Sequence, residues 1–310
     1  MRKMPNTHWI WMPDWQELVN DKPRLVRFRK TVTLDVKPES MKLQISADTR
    51  YKLYVNGKFV EFGPAKGDQR IWYVDTVEIA PWLNAGVNSL AVEVLRYPLA
   101  YRSGNFGMVR TATAGLFIEG GMIADESWKC REVKGFKILR ESPGFAPLMF
   151  LEEYTTEEWE KNWKLADYDD STWANARPYN VMEINEGSCP GDLSPRPIPF
   201  LNKITRKFTG VVPKYDQNTV SKWESVLAGA GSAMIPAGQK EIVELNAGEE
   251  MCGYLSLRMR FGKGTTIKIL ASEGYVQNEM YSNGMDPIKK DRCDWVNGHL
   301  DGYTDIYHVS

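Results

Sequence analysis

Hydrolysis of a glycosidic bond takes two carboxyl groups, held about 6.5 to 9.5 Å apart in inverting enzymes. The sequence offers three sets of closely spaced acids: Glu152 with Glu153, Asp167 with Asp169 and Asp170, and Asp291 with Asp294. Neighbouring residues of a strand point to opposite faces, so Glu152 and Glu153 do not converge. Asp169 and Asp170 precede Trp173 at a corner, where an Asp carboxylate serves turn amides. The Asp167–Asp170 group also bunches hard oxygen ligands, but its spacing does not match the 12-residue calcium loop. Solvated turn carboxylates are the better reading, and neither a catalytic nor a metal-binding residue is assigned.

Binding chemistry has more to draw on. The chain carries 11 Trp and 14 Tyr, and an aromatic face is a platform for the apolar face of a sugar ring, with Arg or Asp holding its hydroxyls. Trp72, Trp82, Arg96, Tyr97, Tyr101 and Arg102 lie in or beside expected loops, and 96–102 mixes aromatics with guanidinium groups as a sugar site does. The bland alternative is a loop that packs on a neighbouring domain. Trp128 and Trp173 sit in corner motifs, where the indole plugs a sandwich and the neighbouring Asp holds turn amides.

Other chemistries find little support. The three histidines (His8, His299, His308) are scattered, and no P-loop, dinucleotide-binding, nucleophile-elbow or zinc-protease motif occurs. No cofactor is implied. Cys130, Cys189, Cys252 and Cys293 show no C-x-x-C pair, which argues against a zinc site and makes buried free thiols the expectation. Lys289, Lys290 and Arg292 form a short basic run beside acids, read as a solvated loop.

The elements that must position these groups are strands. At 310 residues the chain has room for about two domains. Its 39 basic and 40 acidic residues, 43% hydrophobic content and lack of long single-sign blocks exclude a nucleic-acid or acidic-membrane partner on composition. No stretch reaches the roughly 18 apolar residues of a membrane helix. The first fifteen residues lack the uninterrupted apolar core of a signal peptide, which leaves the compartment open. Alternating apolar residues over 26–60 read as strands, and Asn56-Gly57 between two of them predicts a type I′ hairpin. Further strands are expected over 71–74, 89–95, 115–118, 240–245, 253–260 and 265–270, and Thr155 with Glu158 opens at most a short helix. The Asn-, Gly- and Pro-rich stretch 179–199 reads as a linker, with a domain boundary near residue 200.

In this order the segments resemble the N-terminal region of bacterial α-L-rhamnosidases. The likeness is carried by Trp9-Ile10-Trp11, by Tyr54 to Gly57 with Gly63-Pro64, and by Leu83 to Leu90. Asp125 to Lys129 and Asp169 to Ala176 resemble corner motifs of galactose-binding-like jelly rolls attached to glycoside hydrolases. Ile242 to Leu245, Met251 to Leu255 and Gly262 to Ile267 resemble the β-sandwich that precedes the catalytic domain. The resemblance implies an all-β chain: a galactose-binding-like jelly roll over 1–200, then a second, incomplete β-sandwich over 201–310. It also implies that catalysis belongs to an (α/α)6 barrel beyond Ser310, a partner in the same polypeptide, and that rhamnose-containing glycans or glycosides are the substrate class. The alternatives are a free-standing carbohydrate-binding protein and a scaffold module of another glycosidase.

Overall fold

The computed structural model describes residues 9–14, 23–67, 71–97, 114–139, 151–156, 160, 162–179, 192–260, 262–277, 279–280 and 288–310. The chain divides into two compact units, Met1–Pro199 and Phe200–Ser310.

The described strands of the first unit are, in chain order, β1 (Trp9–Trp11), β2 (Arg24–Leu34), β3 (Lys42–Asp48), β4 (Arg50–Val55), β5 (Lys58–Gly63), β6 (Ile71–Glu78), β7 (Gly86–Arg96), β8 (Gly115–Gly120), β9 (Lys129–Glu132), β10 (Phe136–Leu139), β11 (Leu151–Thr155), β12 (Ala174–Asn175), β13 (Arg177–Tyr179) and β14 (Asp192–Pro195). Twelve of them form two six-stranded sheets, ordered β13-β1-β8-β3-β6-β14 and β12-β9-β2-β7-β4-β5, while β10 and β11 pair antiparallel with each other. The β14–β6 pair is parallel. The sequence dictates the facing: in β4, Tyr51, Leu53 and Val55 are buried and alternate with half-buried Arg50, Lys52 and Tyr54. Their partners Val94, Val92 and Leu90 on β7 share that inner face, and Leu43 and Ile45 of β3 complete the buried core.

The hairpin forms as expected: Asn56 (φ 48°) and Gly57 (φ 76°) occupy the left-handed region that a type I′ turn requires. The two corner motifs share one geometry. Trp128 N–H donates to Asp125 O at 3.2 Å, and Trp173 N–H to Asp170 O at 2.9 Å. The strands that follow them, β9 and β12, pair with each other. Trp128 is fully buried and its indole donates to Ile123 O at 2.9 Å. Trp173, expected between the sheets, instead packs with Trp163, Tyr168, Tyr54 and Ala91, against the face of β4 and β7 opposite to the inner one. Arg27 and Arg29 of β2 lie on that same outer face and are 1% and 0% exposed.

The second unit contains β15 (Gly210–Val211), helix α1 (Gln217–Leu227), β16 (Leu245–Asn246), β17 (Thr266–Ala271), β18 (Tyr275–Val276), β19 (His299–Leu300) and β20 (Tyr303–His308). β15 pairs with β16, β18 with β19, and β17 with β20, all antiparallel. Helix α1 was not expected, yet its signals are local: Asp216 Oδ1 accepts the Asn218 and Thr219 amides at 3.0 and 3.1 Å, and Gly229 follows the last turn at φ 76°. The strand expected over 253–260 does not form: these residues are exposed and joined to no strand ladder, because alternation alone supplies no partner for the ladder. The thiols also differ from expectation. Cys130 is buried, but Cys252 and Cys293 are exposed, and Cys189 lies outside the described residues.

Candidate functional site

Three of the six expected binding residues meet at one end of the first sandwich. β3 ends at Asp48, Thr49 turns the chain, and β4 starts at Arg50, which pairs with Leu95 on β7. Arg96 and Tyr97 are thereby delivered beside the turn. The Thr49 hydroxyl donates to Leu95 O at 3.0 Å and accepts the Tyr97 amide at 2.6 Å. Arg50 Nε donates to the Tyr97 hydroxyl at 3.0 Å, and its Nη1 to Pro64 O at 3.0 Å. Beyond Pro64 the loop brings Lys66 Nζ to 4.4 Å from the Trp72 ring centroid and 5.7 Å from that of Tyr97.

Trp72 forms the back wall of this cluster. It lies in β6, is 2% exposed, and its indole donates to Ala47 O at 3.1 Å. It packs with Trp9, Val74, Phe117 and Leu193, so its ring is not an open platform. Arg96 and Asp48 are fully buried and 3.4 Å apart. Desolvation lowers the Lys66 ammonium well below its usual pKa; Arg50 and Arg96 act in the same direction, while Asp48 opposes them.

Trp82 lies elsewhere. It closes the short 3-10 turn Ala80–Trp82, and its carbonyl accepts from Asn56 Nδ2 at 2.9 Å. Asn56 follows the opposite end of β4 from Arg50, about 20 Å away at the rise of a strand. Tyr101 and Arg102 lie outside the described residues. Asp48, Arg50 and Lys66 were not expected in the cluster, because strand pairing rather than sequence spacing brings them to Tyr97.

The spaced acids serve the fold. Asp169 accepts the Ser171 amide at 2.9 Å, which holds its carboxyl below the usual range. Asp170 accepts from Arg29 at 2.5 Å. Asp291 accepts the Cys293 amide at 2.9 Å, and Asp294 takes the amides of Val296 and Asn297 at 3.2 and 3.0 Å. Glu153 is 3.8 Å from Lys137 on the paired strand. Among the described residues, no group of three or more His, Cys, Asp or Glu converges as a metal would require, and no helix is long and apolar enough to cross a membrane. A second polar cluster lies within the second unit, where Glu244 accepts from Lys214 and, at 2.5 Å, from the Tyr275 hydroxyl.

The tandem β-sandwich fold, taken together with the likenesses that follow, marks a glycoside-hydrolase-related module. No family model matches the chain. It is related to α-L-rhamnosidases: the enzyme from Streptomyces avermitilis is 27% identical over 176 residues, covering 56% of this chain and 14% of that protein. The structure of a GH78 family rhamnosidase from Bacillus sp. GL1 matches with a TM-score of 0.54 and 27% identity, over 68% of this chain and 22% of that one. The α-L-rhamnosidase of Aspergillus terreus shares the fold over 98% of this chain and 31% of its own length, with a TM-score of 0.55 and 17% identity. The chain thus spans less than a third of each of these relatives.

Proposed function

We propose that residues 1–310 are the non-catalytic N-terminal part of a glycoside hydrolase that resembles the α-L-rhamnosidases: a galactose-binding-like jelly roll over 1–200 followed by an incomplete β-sandwich over 201–310. The observation that carries this reading is the match at 27% identity over 68% of this chain and only 22% of a rhamnosidase. On this reading, hydrolysis of terminal α-L-rhamnosides belongs to a catalytic barrel in the same polypeptide, with one carboxyl protonating the leaving oxygen and a second activating water. The test has two arms. Purified residues 1–310 should release no aryl group from an aryl α-L-rhamnoside above the buffer rate, and release would overturn the non-catalytic role. The gene should continue past the Ser310 codon into several hundred codons of helical periodicity, and a stop codon there would overturn the parent-enzyme role.

A second reading has its own observation, the gathering of Lys66, Arg96 and Tyr97 at one end of the first unit. On it, this unit holds a glycan there, with the Tyr97 ring as the contact surface. Saturable sugar binding that is lost in Tyr97→Ala supports this reading, and its absence leaves only a scaffold role.

A further inference from the structure

We propose that Arg196 is the latch that ends the first unit: its guanidinium ties residues 196–199 to the buried carboxylate of Asp75, so that the chain leaves this unit only at Phe200. The inference holds whether or not the unit binds a glycan.

The stretch 192–199 has the composition of a linker but is fastened to the sandwich. Strand β14 runs parallel to β6, from Asp192 beside Ile71 to Pro195 beside Val74, and Leu193 is buried with Trp72, Val74 and Phe117. The Arg196 amide adds one more bond, to Val74 O at 3.0 Å. Pro197 and Pro199 have no N–H to donate, so the ladder cannot run on past this point. The Arg196 side chain supplies the attachment that the backbone cannot. Its Nη1 donates to Asp75 Oδ1 at 3.1 Å, while Nε donates to Ile198 O at 3.0 Å and Nη2 to Pro199 O at 3.2 Å. One planar fork thus joins a fully buried carboxylate to two carbonyls of the departing chain. Asp75 is a fixed anchor, because Tyr51 holds its other oxygen and the Gly63 backbone lies against it. The proline rings restrict φ along 197–199, so closing the latch orders little free chain. Past Phe200 the character changes: residues 201–207 are exposed and belong to no strand or helix.

Timed digestion of residues 1–310 with chymotrypsin, read by mass spectrometry, tests the latch. Cleavage needs extended chain on both sides of the bond, so the site after Phe200 draws Ile198 and Pro199 into the protease, whereas the site after Phe208 does not. Arg196→Met should speed cleavage after Phe200 at least about tenfold and change cleavage after Phe208 less than about twofold. Arg196→Lys should behave like Arg196→Met, because a single ammonium cannot span the carboxylate and both carbonyls. An unchanged rate after Phe200 in Arg196→Met overturns the latch. Equal acceleration at both sites means general loosening and overturns it too. Full protection in Arg196→Lys overturns the bridging by a planar fork. Should Arg196→Met fail to fold, nuclear magnetic resonance of the unaltered protein carries the test. The Arg196 Nε–H should exchange with water at least about tenfold more slowly than that of the exposed Arg206, and equal exchange overturns the latch.

Discussion

The Tyr51 hydroxyl donates to Asp75 Oδ2 at 2.6 Å, and this bond crosses the core of the first unit from β4 in one sheet to β6 in the other. Gly63 lies against it so closely that a Cβ there would meet Asp75 Oδ2 at 2.0 Å. Arg196 Nη1 reaches the other carboxylate oxygen at 3.1 Å. Burial pushes the Asp75 carboxyl above its usual pKa, while the hydrogen bonds from Tyr51 and Arg196 pull it down. Tyr51→Phe should therefore cost about 1–3 kcal/mol. Folded Asp75 keeps its proton to higher pH than the unfolded residue does, so its contribution to stability falls as pH rises from about 3.9 through the raised folded value. Above that window the charged carboxylate needs Tyr51 most. Urea unfolding at pH 4 and pH 7 should show the larger Tyr51→Phe loss at pH 7, and equal losses would dismiss the coupling.

The turn at Asn56-Gly57 allows two glycines to be compared. Gly57 has φ 76° and its missing Cβ would meet Leu165 Cδ2 at 2.6 Å, whereas Gly86 has φ 88° and nothing within 4 Å. Both alanine variants incur the left-handed backbone penalty of roughly 1–2 kcal/mol. Gly57→Ala should lose more because Leu165 must move. Denaturant midpoints measure the difference, and identical losses would show that Leu165 yields freely.

Legibility in the sequence followed the range of the interaction. The hairpin and the corners at Asp125 and Asp169 are set by residues within four positions of each other, and each reads directly from its turn chemistry. Alternation marked the strands of the first unit, but it gives no sign that Arg27 and Arg29 are buried, since a charged residue in a strand ordinarily faces solvent. Their cover comes from residues up to 141 positions away, which no local pattern reveals. Half of the candidate site was read for a similar reason. Arg96 and Tyr97 were visible as neighbours in sequence, while Arg50 and Lys66 reach them through β4–β7 pairing and the Pro64 loop. Trp82, equally aromatic in sequence, belongs to the far end of β4.

Arg29 anchors the segment that covers the outer face. It is fully buried, donates to Tyr168 O and Leu165 O at 2.8 Å each, and meets Asp170 at 2.5 Å. Arg29→Met should cost about 3–5 kcal/mol, because two carbonyls and a carboxylate lose their donor together. Lys30, the next residue, lies 3.3 Å from Asp125 in a partly exposed pair, and Lys30→Met should cost less than about 1 kcal/mol. Thermal unfolding of the two variants separates the cases. Comparable losses would mean that Trp163 and Trp173 hold the segment without the guanidinium.

The thiols should react in an order set by burial. Cys130 lies on β9, 2% exposed, and burial pushes its thiol up to about 12, so the thiolate that attacks an alkylating reagent is scarce and shielded. Cys252 and Cys293 are exposed and should be alkylated at neutral pH while the protein remains folded. Cys130 should be modified only when denaturant opens the sandwich, where its pKa returns to about 8.5 and its rate approaches that of the other two. Peptide mass spectrometry after timed iodoacetamide exposure reads each site separately. Modification of Cys130 at the rate of Cys252 without denaturant would mean that the β9–β12 edge opens readily in the native protein.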